Sequence, residues 1–472
     1  MFYFILKRIA LIFVTLLTTL FFTFLISSNT PGDPVEQLLQ KNKNAYSQIE
    51  NEIAYKKLKN KLGLDLPLFY FSICSSSYPD SLFKIFNQKQ QYFLERIAFE
   101  FGNSKQATAY YQSILDFKTE DNKFISELNI LYNCFTEQQI NNQLKKLRNI
   151  LSKNDTQQFE TISIAFQQLS QNKKVYKSYI PNIRWYGNNN QFHIWLFGDY
   201  LWFSDLNSNK SFRTKGIVRG DFGNSFSDGR PVFNLIVDAL KWTVTLSLIS
   251  ILIIYLIAIP LGIWLANKKG SKAEHFISLF LYALYSMPTF WIATLFIIFL
   301  CNPDFWNIFP PAFNLIDFGE NDSTFTNLVK IVYYLFLPVV CGIYGSIAYL
   351  SRQMESSISQ TLLKQYIQTA RAKGLSNTKI LWKHAFKNAL LPIITLFAGI
   401  FPLIISGSII LETIFSIPGM GKLSFDALLQ RDYPVIYTTV LLTAFLTLVG
   451  TLIADILYAK IDPRITFNAK NI

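Results

Sequence analysis

The sequence predicts an all-α membrane protein with six transmembrane helices and a mainly helical external insertion between helices 1 and 2. Three observations carry that reading. Half of the 472 residues are hydrophobic and only 16% are charged, and several apolar runs approach or exceed the roughly 20 residues that span a bilayer. The formal charge of +13 is distributed by side of the membrane and does not form a nucleic-acid patch. Four short segments assigned to the cytoplasm (1–8, 267–275, 351–388 and 459–472) hold 15 Lys or Arg and 3 Asp or Glu. The two short loops of the other side (301–328 and 412–434) hold 2 basic and 7 acidic residues, the positive-inside asymmetry of a multispanning chain. Third, the polar material gathers in one block from about 29 to 238, where no run is long enough to cross.

The first helix occupies residues 1–28. Lys7-Arg8 precede an apolar run from Ile9 to Ile26, 18 residues long. A secretory signal usually has an apolar stretch of about 7–15 residues and a small-residue cleavage site; neither feature matches, so the span is read as retained, with the N-terminus inside. Pro31-Gly-Asp-Pro34 then stops it, because proline cannot donate to a helix and disfavours helix in the residue before it.

Residues 29–238 are read as extracytoplasmic, since long loops cross regardless of their charge. Between about 93 and 171 the pattern is helical, as in Ile140, Leu144, Leu147 and Leu151. Val175 to Phe203 is rich in aromatics, broken by Asn188-Asn-Asn190, and reads as a compact, loop-rich packing unit. Cys74 and Cys134 fall in this region, where an oxidising compartment would let them pair, but no spacing motif marks them. Cys301 and Cys341 lie in or beside apolar runs.

The core domain, 239–472, holds five further spans near 242–266, 276–300, 328–350, 389–411 and 435–458. Lys268, Lys269 and Lys272 lie inside, the acidic stretch from Asp304 to Asp322 outside, and six crossings return Lys460, Arg464 and Lys470 to the inside. Pro260, Pro288, Pro338 and the pair Pro392/Pro402 interrupt four successive spans. One buried proline fits a shaped bundle; four in series fit a bundle that opens and closes.

Between the fourth and fifth spans, 351–388 is polar and basic. Leu362, Leu363, Tyr366, Ile367 and Ala370 make one helical stripe, with Lys364, Arg371 and Lys373 off it. Gly374 stands where a helix should end, and Ser376 can cap a second helix through Ile380-Leu-Trp382. The spacing predicts helix, glycine turn, helix on the inner face, with small side chains (Ala370, Ala372, Gly374) that let another protein's surface approach. An amphipathic helix resting on lipid is the alternative.

Thr369-Ala-Arg-Ala-Lys-Gly374, followed by His384-Ala-Phe-Lys-Asn-Ala-Leu-Leu-Pro392, resembles the "EAA" loop of ABC importer permeases of the dipeptide/oligopeptide/nickel family. Glu412-Thr-Ile-Phe-Ser-Ile-Pro-Gly-Met-Gly421, Arg431-Asp-Tyr-Pro434 and Asp462-Pro-Arg464 continue the resemblance. Upstream, so do Pro31-Gly-Asp-Pro34, Leu62-Gly-Leu-Asp-Leu-Pro67 and Gly220-Asp-Phe-Gly-Asn-Ser225. It covers about 1–72 and 216–472. It implies the type I ABC importer permease fold, a bacterial inner-membrane location, and a coupling helix that docks in a cytoplasmic ATPase. That role falls on Gln368, Thr369, Ala370, Arg371, Ala372, Lys373, Gly374 and Leu375; the position of Gln368 is often glutamate in the family. The implied partners are a second homologous permease, two ATPase subunits that use ATP and Mg, and an extracytoplasmic solute-binding protein. The segment from about 73 to 215, roughly 140 residues, departs from the family and reads either as passive decoration or as a docking or gating domain.

Other chemistry finds no support. Gly419-Met-Gly421-Lys422 resembles the end of a phosphate loop, but Leu423 replaces the required Ser/Thr and Ser416 the first glycine, so no ATP site or other cofactor is expected on this chain. His193, His275 and His384 fall in different regions, which leaves no metal centre, and no nucleophile–base constellation is present. Asp455 and Glu412, near the ends of the last two spans, are candidates for the pathway or for polar contacts inside the bundle. A secondary transporter would need ionisable groups near the bilayer midplane, and none is placed there. A membrane-anchored receptor acting through its insertion is the other rival. The solute is not legible.

Overall fold

The computed structural model describes residues 2–28, 33–41, 48–80, 82–85, 87–117, 119, 122–151, 156–199, 214–313, 323–398, 404 and 406–461. The chain divides into two units: Met1–Pro34 with Phe222–Ile472, and Val35–Asp221. Residues 225–227 belong to the first of these units, where Phe226 N–H and Ser227 N–H donate to Asp432. Of the motifs read from the sequence, Pro31-Gly32, Pro402, Tyr200 to Phe203, Asp317 to Asp322 and Asp462-Pro-Arg464 lie outside the described residues.

The first span is α1 (Phe2–Ser28). In the second unit, α2 (Pro34–Lys41) and α3 (Gln48–Leu62) precede a strand, β1 (Phe71–Ser75). Then come α4 (Gln88–Phe101), α5 (Ser104–Leu115), α6 (Asn122–Ile130), α7 (Glu137–Ile150) and α8 (Thr156–Gln171). Their starts are written in the sequence. Asn87 and Asn103 accept backbone N–H groups of the first turns of α4 and α5, and Thr136 with Gln139 forms a reciprocal capping box on α7. The helices share one core in which Phe93, Phe101, Tyr110, Ile140, Leu147 and Ile162 are fully buried. Each phenylalanine, leucine and isoleucine among them contributes on the order of 1.5–3 kcal/mol of transfer free energy. The predicted stripe is real at Ile140, Leu144 and Leu147.

The aromatic stretch from Val175 is more regular than expected. A 3₁₀ turn (Val175–Tyr179) leads into β2 (Pro181–Trp185), which pairs antiparallel with β1, Phe71 opposite Trp185 and Ile73 opposite Ile183; α9 (Gln191–Phe197) follows. Strand pairing across more than a hundred residues leaves no local signal. Cys74 sits on β1 and Cys134 in the helical core, and both are free thiols.

In the membrane unit, α10 (Val232–Asn267), α11 (Lys272–Ser286), α12 (Thr289–Phe296), α13 (Thr324–Leu362), α14 (Gln365–Ala372), α15 (Asn377–Lys379) and α16 (Phe386–Ala398) come first. They are followed by α17 (Ile409–Ile414), α18 (Met420–Gln430) and α19 (Tyr433–Ile461). Among the described residues α1, α10, α13 and α19 are each long and apolar enough to cross a membrane. α1 and α19 run antiparallel: Arg8 Nη2 lies 2.7 Å from Asp455 at one end, and Ser27 Oγ bonds Tyr437 Oη at 2.8 Å at the other. α10 and α13 approach closely at Gly262, where a Cβ would stand 2.6 Å from the Ser351 carbonyl, a small-residue interface of the kind membranes favour.

Two expected spans are not straight. The one near 276–300 is α11 plus α12, bent by 88° at Met287-Pro288. Its partners nevertheless advance steadily along α13. Glu274 and Ser278 meet Arg352, Leu281 packs by Ala348, the Met287 carbonyl accepts from Tyr344 Oη, and the Ile308 carbonyl from Tyr333 Oη. From Arg352 to Tyr333 is roughly 28 Å at 1.5 Å per residue, and the last part of that length is contacted by the loop after the bent pair, at Ile308. The span expected at 389–411 is interrupted before its end: Gly407 takes φ +68° and helix resumes only at Ile409, capped by Ser408.

Candidate functional site

The segment around Gly374 folds as helix, turn, helix. α13 continues to Leu362, so the first two members of the apolar stripe end that long helix, and Leu363 is exposed. α14 then starts at Gln365 and roots itself through Ile367 and Ala370, both buried in one cluster with Ile263 of α10, Met354 and Ile358 of α13 and Leu381. It closes with a Schellman motif: Gly374 N–H donates to the Arg371 carbonyl at 2.9 Å, and Leu375 N–H to the Ala370 carbonyl at 3.3 Å. Gly374 supplies the left-handed φ of +77° that this geometry needs.

What the segment presents outward is polar and small. Gln368, Thr369, Arg371, Ala372, Lys373 and Gly374 are exposed, Ala370 is buried, and Leu375 is half-buried against the cluster. A Cβ on Gly374 would meet nothing within 4 Å, so within this chain the glycine is required for its backbone alone. Ser376 takes the cap conformation before α15 but its side chain makes no capping bond, contrary to expectation. Ile380–Ala385 form a π-helical stretch between α15 and α16, a widened turn that hydropathy does not reveal. Asn377 Nδ2 donates to Asn267 at 3.0 Å and Asn388 Nδ2 to Tyr366 at 2.9 Å, tying both ends of the turn to its neighbours.

The two acidic candidates both make polar contacts within the membrane unit. Glu412 is fully buried. Its Oε1 accepts from Thr243 Oγ1 at 2.9 Å and from Ser408 N–H at 3.3 Å, and its Oε2 from Lys422 N–H at 3.0 Å. Thr243 Oγ1 in turn accepts Met420 N–H at 2.7 Å. The carboxylate thereby fixes the entry to α18, and Gly419 and Gly421 leave the room it occupies. Asp455 faces Arg8 and belongs to the α1–α19 seam. The structure does not bring the acids together with each other or with the Gly374 turn.

Sequence reasoning missed Asp432. It is buried and accepts from Phe226 N–H at 3.0 Å, Ser227 N–H at 3.1 Å, Ser227 Oγ at 3.0 Å and Ser225 Oγ. Gly220–Ser225 and Arg431–Pro434 had each been noticed as motifs, yet nothing local says that one holds the other. It also missed the clamp on α11, where Arg352 bonds Glu355, Ser278 Oγ at 2.8 Å and Tyr282 Oη at 2.9 Å. Beside Asp432, the loop carboxylate of Asp228 is lowered in pKa: burial would raise it, but the backbone N–H and guanidinium of Arg230 outweigh that.

Comparison with known proteins places this arrangement. Residues 258–467 match the family described as binding-protein-dependent transport system inner membrane component. The oligopeptide transport system permease protein AppB of Bacillus subtilis is 39% identical over 253 residues, covering 53% of this chain and 78% of that protein. The inner membrane ABC transporter permease protein YejB of Escherichia coli is 36% identical over 254 residues, 54% of this chain and 70% of that protein. The dipeptide transport system permease protein DppB of Haemophilus influenzae is 35% identical over 262 residues, with coverages of 53% and 78%. The chain therefore belongs to the family of inner-membrane permease components of binding-protein-dependent ABC importers, and is a membrane subunit, not an enzyme.

Proposed function

We propose that this permease couples the movement of partner ATPases to alternating access for di- or oligopeptides or a related small solute. The observation that carries the coupling role is the Schellman-terminated helix α14. Its exposed face carries Gln368, Arg371 and Lys373 around an open space at Gly374, while its root lies in the same apolar cluster as α10 and α13. A push on that face is transmitted to two spanning helices through contiguous packing. The peptide class rests on the names of AppB and DppB.

In this reading the chain works beside a second homologous permease, two cytoplasmic ATPases that bind ATP and Mg, and an extracytoplasmic solute-binding protein; it binds no cofactor itself. Gln368–Leu375 sit in the ATPase groove. ATP binding favours one state of the bundle and hydrolysis the other, because only the ATPase has a differential interaction with the two. Both termini face the cytoplasm and 29–238 the outside, as the charge asymmetry predicts; thiol reagents confined to the outside should therefore label Asn188→Cys.

The deciding experiment is Gly374→Asp, or deletion of 369–375, scored for peptide uptake and for co-purification of an ATPase. Loss of both supports the coupling role. Survival of both overturns it in favour of a secondary transporter or a receptor acting through the insertion.

A further inference from the structure

On the outer side of the membrane unit a cleft of about 570 Å³ opens between the first turns of α10 and the start of α18. Its volume lies within the roughly 300–1,000 Å³ of small-molecule sites. Leu235 and Trp242 from α10 and Leu423 from α18 are part of the apolar lining, and Arg230, Asp238, Lys241, Lys422 and Asp426 bring charge to it. Three of the charges are already engaged: Arg230 bonds Asp228 at 2.9 Å, and Lys241 bonds Asp238 at 3.1 Å. Lys422 and Asp426 differ. They lie one turn apart on α18, both half-buried and both lining the cleft, and their side chains make no ion pair or hydrogen bond among the described residues. The backbone of Lys422 is pinned by the buried Glu412, which fixes where this side chain begins.

A half-buried cation and a half-buried anion that leave each other unpaired, beside an apolar wall, match a ligand with the opposite arrangement. We infer that this cleft is a transit subsite for short zwitterionic peptides, Lys422 receiving the C-terminal carboxylate and Asp426 the N-terminal ammonium, with the side chains against Trp242 and Leu423. The inference rests on the peptide-importer reading. It adds a recognition step in the permease itself, with Glu412 as a positioning residue behind it.

The test uses the complete importer in proteoliposomes with trialanine, trialanine amide and N-acetyl-trialanine. Lys422→Gln should raise KM for trialanine about tenfold, the scale of a hydrogen bond to a charged group, with little change in kcat, and Lys422→Arg should restore it. The binding protein also sees the peptide ends, so the informative quantity is a ratio. The penalty for amidating the carboxylate should shrink in Lys422→Gln relative to wild type, and the penalty for acetylating the amine should shrink in Asp426→Asn. The binding protein's share is common to both members of each ratio and cancels. Basal ATPase activity and subunit co-purification at wild-type levels establish that each variant is assembled. If assembled variants keep the wild-type KM and both ratios, the subsite is wrong and the importer reading stands. If the wild-type complex moves none of the three peptides with ATP and binding protein present, both fall.

Discussion

Two glycine junctions in the membrane unit look alike in the sequence and differ in kind. Gly374 ends α14 with a positive φ and open space where a Cβ would go. Gly419 opens α18 with φ −100°, which any residue adopts, yet a Cβ there would stand 2.5 Å from the Glu412 carboxylate and 2.6 Å from Thr243 Oγ1. The first is glycine for its backbone, the second for its volume. The Gly374 turn is complete in hydrogen bonding but empty on its outer face, as a surface awaiting another molecule should be. The Gly419 junction is filled on its inner side by the chain's own carboxylate.

The largest effect should come from the filled junction. Gly419→Ala forces the methyl against a buried carboxylate that cannot move without giving up three hydrogen bonds. Overpacking typically costs about 1–3 kcal/mol, and an orphaned buried polar group adds a similar amount. A loss of about 3 kcal/mol should appear as a marked fall in the thermal transition of the detergent-purified complex. A transition within a degree of wild type would show that the hub has slack and that the contrast with Gly374 is false.

At Gly374 the same substitution should act weakly. Alanine in the left-handed region costs about 1–2 kcal/mol, and asparagine less. Since no side chain is displaced, Gly374→Asn should melt close to wild type and Gly374→Ala slightly below it. Both should impair peptide uptake more than they impair stability, because the added side chain sits on the face proposed to meet the ATPase. Uptake that merely tracks the melting temperature would reduce the turn to a folding device.

How far the sequence could be read follows the same division. Features that depend on near neighbours were legible: the apolar runs, the Gly374 turn, and the Ile140–Leu147 stripe. Features that depend on distant partners were not. Glu412 announced itself as a carboxylate near the end of a span, but Thr243, its partner, is 169 residues away and looks like any hydroxyl in an apolar helix. Asp432 and Ser225 are 207 apart. The 88° break at Met287-Pro288 sits in a run whose hydropathy is that of a straight span; a proline signals a kink there but not its angle. The π-helical stretch Ile380–Ala385 has no hydropathy signature at all.

The smallest effect concerns pH and again separates a filled site from an open one. Asp228 is partly exposed and is held by Arg230 through a backbone N–H at 2.8 Å and two guanidinium bonds. Its pKa in the folded chain lies below the ordinary carboxylate value. A carboxylate with a depressed folded pKa contributes stability that is fully present above its unfolded pKa, about 4, and is lost as the pH falls through the lower folded value. Because both partners are solvent-accessible, screening keeps the contribution under about 1 kcal/mol. Wild type and Asp228→Asn should therefore differ slightly in melting temperature at neutral pH and converge below about pH 4. Asp228 also bonds Arg230 at the edge of the outer cleft, so the same titration frees that guanidinium in the acid range. If the two curves stay parallel down to pH 3, the charge on Asp228 contributes nothing to the fold, and the loop is held by Asp432 and its own backbone bonds.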